Sequence, residues 1–260
     1  KKTLKLSNLQ KEVLIGLLMG DGHLESRDGR IYRLKIEHSY LQKEYVDWLY
    51  DIFKEWVLTP PQDKIQTFGG VQYKKFWFSI VSHGAFRFYG QQFYRDKKKI
   101  IPKLIHKWLS PLATAVWFMD DGSIKTNRHR ALILNTQSFS VSELQRLIKL
   151  LKEKYGVEMK PRKQSRKSIE IYQLITVGDT VEKFVQINVV FKQAKTEIVI
   201  RRRLVIKCFL LEPDFRWLFS NFAPNPKKFK FLKPEQRNHN NFNYIRKCCA
   251  AARSAFGRKT

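Results

Sequence analysis

Cysteine is scarce: there are three in 260 residues, Cys208 and the adjacent pair Cys248 and Cys249. That is too few for a disulfide framework, and the pair lacks the C-x-x-C spacing of a metal or redox site. The six histidines are dispersed with no H-E-x-x-H pair, so spacing alone gives zinc no home. No apolar run approaches the roughly 18 residues of a membrane span, and no signal-peptide pattern opens the chain. The expectation is a soluble protein, neither secreted nor membrane-bound. Acidic residues are also short, 23 against 50 Lys and Arg, which leaves a formal net charge of +27. Solubility needs far less; a polyphosphate partner fits it, so nucleic acid comes first. With 43% hydrophobic residues, the chain can bury one substantial core or two modest ones.

What is present is internal repetition, because two weakly similar halves stand about 100 residues apart. Each opens with an apolar helix that runs into Asp-Gly. The first covers Gln10 to Met19 and ends at Gly20-Asp21-Gly22; the second covers Leu112 to Met119 and ends at Asp120-Asp121-Gly122. Glycine just past a helix predicts a left-handed C-terminal cap. Gly16 and Gly20 share a face of the first helix and predict close packing there, where the second helix offers Ala113 and Ala115.

After each helix the pattern alternates. Tyr32 to Glu37 reads as a strand, Leu41 to Val57 as a helix, and Ile65 to Ile80 as a hairpin turning at Gly69-Gly70, with a helix near Gly84 to Tyr94. The second half repeats the order: strands near Ala131 to Thr136, a helix from Val141 to Lys154, a hairpin from Glu158 to Val177 and a helix from Thr180 to Gln186. The halves join near Ile101 to Ser110. From about Lys207 the repeat gives way to a basic, aromatic tail: residues 201–260 hold 15 Lys and Arg against 3 Asp and Glu. Such a tail can stack on single-stranded nucleic acid or strap the domains with its charges solvated.

An aspartate at a helix C-terminus meets about half a negative charge from the helix dipole, so something positive should offset it. Two such helices side by side gather carboxylates and free carbonyls into an oxygen-rich nest suited to Mg²⁺. Divalent ions there can activate water and stabilise a scissile phosphate, which points to a nuclease.

Leu14-Ile15-Gly16-Leu17-Leu18-Met19-Gly20-Asp21-Gly22 resembles the signature of the LAGLIDADG homing endonucleases, and Trp117-Phe118-Met119-Asp120-Asp121-Gly122 resembles the second copy in two-motif members. Trp56-Val57-Leu58, Lys98-Lys99 before Ile101-Pro102, and Leu134-Asn135-Thr136-Gln137-Ser138-Phe139 are similar to further segments of such members. The resemblance spans about residues 10 to 205. It implies an α+β fold of two pseudo-twofold αββαββα domains with antiparallel saddle sheets in the DNA major groove, here 1–105 and 106–206, followed by the basic extension 207–260. It implies a site-specific double-strand endonuclease acting as a monomer on a long asymmetric target, with two or three Mg²⁺ that Mn²⁺ can replace.

The residues implied at the site are Asp21 and Asp121 as metal-binding catalytic carboxylates, with Gly20 and Asp120 beside them. Lys99 is the active-site lysine, Lys192 its second-half counterpart with Lys195 in reserve, and Gln137 orders water. Glu37-His38-Ser39 stand where the first half should mirror Asn135-Thr136-Gln137, so the half-sites are chemically unequal. Base reading falls to polar residues on exposed strand faces, for which Arg33, Lys35, Glu37, Lys74, Arg130, Lys160, Arg162 and Gln173 are nominated. The resemblance leaves open a second role, an RNA-binding intron maturase on structured RNA, and family habit implies a mitochondrion or plastid.

Overall fold

The computed structural model describes residues 4–184, apart from 127, 128, 167, 168, 179 and 182. Lys192, Lys195, the extension 207–260 and the side chain of Arg130 lie outside the described residues. The first half runs α1 (Asn8–Met19), β1 (His23–Glu25), β2 (Arg33–Ser39), α2 (Lys43–Phe53), β3 (Gln62–Phe68), β4 (Val71–Ser79) and α3 (Arg87–Phe93). A connection of β5 (Tyr94–Arg95), β6 (Lys98–Lys99) and α4 (Ile105–Trp108) leads to the second half. That half runs α5 (Pro111–Asp121), β7 (Gly122–Thr126), β8 (His129–Leu134), α6 (Val141–Tyr155), β9 (Met159–Arg166) and β10 (Ile169–Thr176). The chain is helical again at residues 180, 181, 183 and 184, where Phe184 packs edge-on against Phe118 at 5.3 Å.

Each half builds its own four-stranded antiparallel sheet, in the orders β1-β2-β4-β3 and β7-β8-β10-β9. The turn between β3 and β4 has positive φ at both Gly69 (55°) and Gly70 (79°), the mirror-image turn whose twist suits a hairpin. Alternation decides the faces. Along β2, Leu34, Ile36 and His38 point inward to the helices, while Arg33, Lys35, Glu37 and Ser39 point outward.

Local signals explain the boundaries. Ser7 and Gln10 form a reciprocal capping box that starts α1. Ser140 and Glu143 do the same for α6, and Gly156, at φ 63°, ends it in the left-handed conformation. The Leu41 to Val57 stretch is α2 flanked by short 3-10 turns at Tyr40–Gln42 and Lys54–Trp56.

The glycines that end α1 and α5 act differently from the left-handed caps expected of them. Gly20 and Gly122 have φ of −102° and −74°, and Gly22 is not among the positive-φ residues. What they supply is room. A Cβ on Gly22 would stand 2.7 Å from Leu17 Cβ, and one on Gly122 would collide with the Phe118 ring and carbonyl. The chain folds back over its own last turn and leaves no space for a side chain.

The same argument sets the contact between α1 and α5, which are mainly apolar and buried from Val13 to Met19 and from Leu112 to Met119, as helices at the centre of a fold must be. A Cβ on Gly16 would lie 2.6 Å from the Ala113 carbonyl and from Val116 Cβ, and one on Gly20 would lie 2.5 Å from Asp120 Cβ. The glycines therefore draw the two helix ends together. Ser110 Oγ adds a 2.5 Å bond to Glu12 Oε2 at the opposite end of the pair. The connection between the halves is also held: Ile101 N–H donates to Glu143 Oε1 at 2.8 Å, and Arg146 donates to the Ile101 carbonyl at 3.1 Å.

Candidate metal centre and nucleic-acid face

Asp21 follows the end of α1 and Asp121 is the last residue of α5, so helix packing brings both predicted carboxylates to one end of the seam. Asp21 is exposed, its side chain at 52%. Asp121 is half-buried; Trp117 Nε1 donates to its Oδ2 at 3.2 Å, and its carbonyl accepts from both the backbone N–H and Nδ2 of Asn135, at 3.0 and 2.8 Å.

Lys99, carried on β6, is the cation that the helix-dipole argument required. Its Nζ donates to the carbonyls of Gly20 at 2.6 Å and Gly22 at 2.9 Å, two of the acceptors left over at the end of α1. Burial pushes its ammonium below the usual lysine range, and the charges of Asp121, Asp120 and Asp21 pull it back up. A partly desolvated ammonium held against three carboxylates suits transfer of a proton or stabilisation of a phosphate.

The other two expected metal ligands, Gly20 and Asp120, have protein partners. The Gly20 carbonyl is turned to Lys99. Asp120 is sealed in the helix seam: its Oδ2 accepts from Asp21 N–H at 3.1 Å and its Oδ1 from the Tyr45 hydroxyl at 2.9 Å. Burial pushes the Asp120 carboxyl well above the carboxylate range, and neighbouring Asp21 adds to this; the Tyr45 and Asp21 hydrogen bonds oppose it. Asp120 joins the halves, and Asp21 and Asp121 remain as the carboxylates at the surface.

Gln137 Nε2 reaches Asn135 Oδ1 at 3.4 Å, so it sits one side chain away from Asp121. A longer relay arrives from the sheet: Gln164 Nε2 donates to Gln173 Oε1, Gln173 Nε2 donates to Asn135 Oδ1 at 2.6 Å, and Asn135 holds the Asp121 carbonyl.

Strand parity sorts the nominated readers. Arg33, Lys35 and Glu37 lie outward on β2, and register places Lys75 opposite both Ser39 and Lys64 on that face. Glu37 is enclosed by Lys64 at 3.2 Å, Lys75 at 3.4 Å and Lys35 at 3.5 Å, a net positive cluster. Lys74 pairs with Ile65, shares the face of Phe76 and Phe78, and its ammonium lies 3.9 Å over the Tyr40 ring and 2.6 Å from Asp63. The residue one step along, Lys75, takes the outward position, since a one-residue step reverses the face. On the second sheet Lys160, Arg162 and Gln173 share one face, but Gln173 is 8% exposed and its amide is engaged in the relay.

The sequence pattern did not single out Lys75, Tyr45, Asn135 or His38 for the site. His38 points inward, where both Asp21 and Asp120 meet it. A cleft of about 420 Å³ opens beside Asp21 on the outward face, bordered by His23, Lys35, Glu37, His38 and Lys75.

Known proteins agree with this architecture. The model of the LAGLIDADG DNA endonuclease family matches residues 11–184. A probable intron-encoded endonuclease of Wickerhamomyces canadensis is 29% identical over 171 residues, 60% of this chain and 70% of that protein. The cytochrome b mRNA maturase bI2 of Debaryomyces hansenii is 27% identical over 176 residues, 65% of each. The solved structure of the homing endonuclease I-WcaI bound to its DNA recognition sequence has a TM-score of 0.63 at 26% identity, covering 71% of this chain and 82% of that one. With paired helices ending in Asp-Gly, two four-stranded antiparallel sheets and a family match across most of the described residues, the chain belongs to the LAGLIDADG homing-endonuclease family.

Proposed function

We propose that this protein is a monomeric, metal-dependent endonuclease that cuts both strands of a long, asymmetric duplex DNA site. The observation that carries the reading is the convergence of Asp21, Asp121 and the buried Lys99 ammonium at one end of the helix seam. Asp21 and Asp121 would hold divalent ions, two or three Mg²⁺ with Mn²⁺ as a substitute, and such ions activate water and stabilise the leaving oxygen. Lys99 neutralises charge beside the phosphate, while Gln137 and Asn135 orient polar groups near Asp121. The two outward sheet faces, lysine-rich in the first half and carrying Lys160 and Arg162 in the second, would read the duplex. Because the faces differ, so would the half-sites. We take 1–105 and 106–206 as the two domains and 207–260 as an added basic extension, in a mitochondrion or plastid.

The test is Mg²⁺-dependent cleavage of a randomised duplex library by the wild type, Asp21→Asn and Asp121→Asn, with binding followed in parallel. Site-specific double-strand cuts lost in both variants while binding persists support the reading. The maturase relative favours a second one, RNA binding on the same fold; tight binding to structured RNA with no cleavage by the wild type would replace the first with it.

A further inference from the structure

Spacing gives His38 no metal-binding partner, yet folding delivers one on each side of its ring. The imidazole is 4% exposed, with Nδ1 3.7 Å from Asp21 Oδ2 and Nε2 3.8 Å from Asp120 Oδ1. One ligand atom from each of the three residues lies within 4.8 Å of the others. Two donors that each stand about 2.1 Å from one ion can be at most about 4.2 Å apart. The gap between Nδ1 and Asp21 Oδ2 falls inside that limit.

We propose that His38 is a nitrogen ligand to the ion held by Asp21, with the buried Asp120 as the carboxylate that orients the imidazole from its far side. The inference rests on the metal-dependent reading above and deepens it. Metal-bound histidines generally turn their second ring nitrogen to a carboxylate or carbonyl, which fixes the tautomer and strengthens the ligand. Asp120 stands on that side, its Oδ1 3.8 Å from Nε2, and is itself held by the Tyr45 hydroxyl and the Asp21 amide. Tyr45 also bounds the ring, its centroid 5.1 Å away. On the open side, Asp21 and His38 both border the cleft of about 420 Å³, through which an ion and a phosphate oxygen can arrive.

At the equivalent position the second half carries no imidazole. Strand register aligns His38 with Thr136, whose hydroxyl donates to the Tyr172 carbonyl at 3.0 Å. Among the described residues the two metal positions therefore differ in chemistry: the first offers nitrogen and oxygen, and the second has oxygen where the first has the imidazole. Imidazole suits Zn²⁺, Ni²⁺ and Cu²⁺, whereas Mg²⁺ and Mn²⁺ lean towards oxygen, so borderline ions should settle in the first half.

The test uses the full chain with Mn²⁺ alone, read by pulsed electron paramagnetic resonance, which detects ¹⁴N bound directly to the ion. Nitrogen modulation is expected in the wild type and in Asp121→Asn, and not in His38→Thr, which copies the second half. Calorimetric titration with Zn²⁺ should show affinity weakened roughly tenfold or more in His38→Thr and unchanged in Thr136→Val. Bound Mn²⁺ without nitrogen modulation in the wild type, or modulation that survives in His38→Thr, overturns the His38 assignment and leaves the nuclease reading standing. If Mn²⁺ does not bind the wild type at all, the metal-dependent reading falls with it.

Discussion

Replacing Gly16 with alanine separates two physical effects of opposite sign. Helix propensity alone predicts a gain of about 1 kcal/mol, because alanine restricts the unfolded chain and glycine does not. The helix seam predicts a loss. The new methyl would stand 2.6 Å from both Val116 Cβ and the Ala113 carbonyl, where ordinary carbon contacts need about 3.5 to 4 Å. One neighbour is main chain and cannot rotate away, so α1 and α5 must separate by about 1 Å. Overpacking of that kind costs about 1–3 kcal/mol, and after subtraction of the propensity gain of about 1 kcal/mol the net loss is about 0–2 kcal/mol.

Urea unfolding is the assay. With a slope of about 2 kcal/mol per molar, the midpoint should fall by up to roughly 1 M at unchanged slope. Gly84→Ala, whose added methyl meets nothing within 4 Å, is the matched control and should shift little. The same opening moves Asp21 away from Asp121, and a misplacement of about 1 Å costs up to roughly 10²-fold in rate. Cleavage by folded Gly16→Ala should fall by that order. A midpoint that rises would refute the close approach and, with it, the reason given for glycine at this position.

Other expectations follow from the same geometry. Gln173→Leu breaks the relay from Gln164 to Asn135 and should slow cleavage about tenfold or more while duplex affinity changes little; an equal loss of binding would mean that Gln173 reads bases after all. Glu143 is partly buried, which alone would raise its carboxyl, but its bonds from Ser140 and the Ile101 amide hold it below the usual 4.5. A depressed folded value stabilises above 4.5 and loses that contribution as pH falls through the folded value. Glu143→Gln should therefore flatten the acid limb of a melting-temperature profile below about pH 4.5; an unchanged limb would discount the cap.

Much of this was legible because local pattern and tertiary role coincided. The paired Asp-Gly helices and the element order within each half follow from local pattern and from a repeat, and Lys99 was placed by the family resemblance. The errors came where partners are distant. The glycines after α1 and α5 looked like left-handed caps because glycine suits both positive φ and close contact, and only the fold distinguishes the two. Lys74 was nominated from polarity alone, and register places it on the face of Phe76 and Phe78, with Lys75 on the face of Lys35 and Glu37. His38 sits at an inward position of an alternating strand, which parity alone could have shown. What it meets there, an aspartate 17 residues earlier and another 82 later, no spacing rule could supply.

The seam also settles which halves can pair. Motif alignment matches Gly16 with Val116 and Gly20 with Asp120, and in the structure these equivalents face each other across the seam. The first half supplies holes and the second supplies knobs. Two copies of the first would meet glycine to glycine and leave gaps; two copies of the second would press Val116 on Val116 and bury two carboxylates together. The fused pair is therefore a heterodimer in its packing, with each half shaped to the other and not to itself.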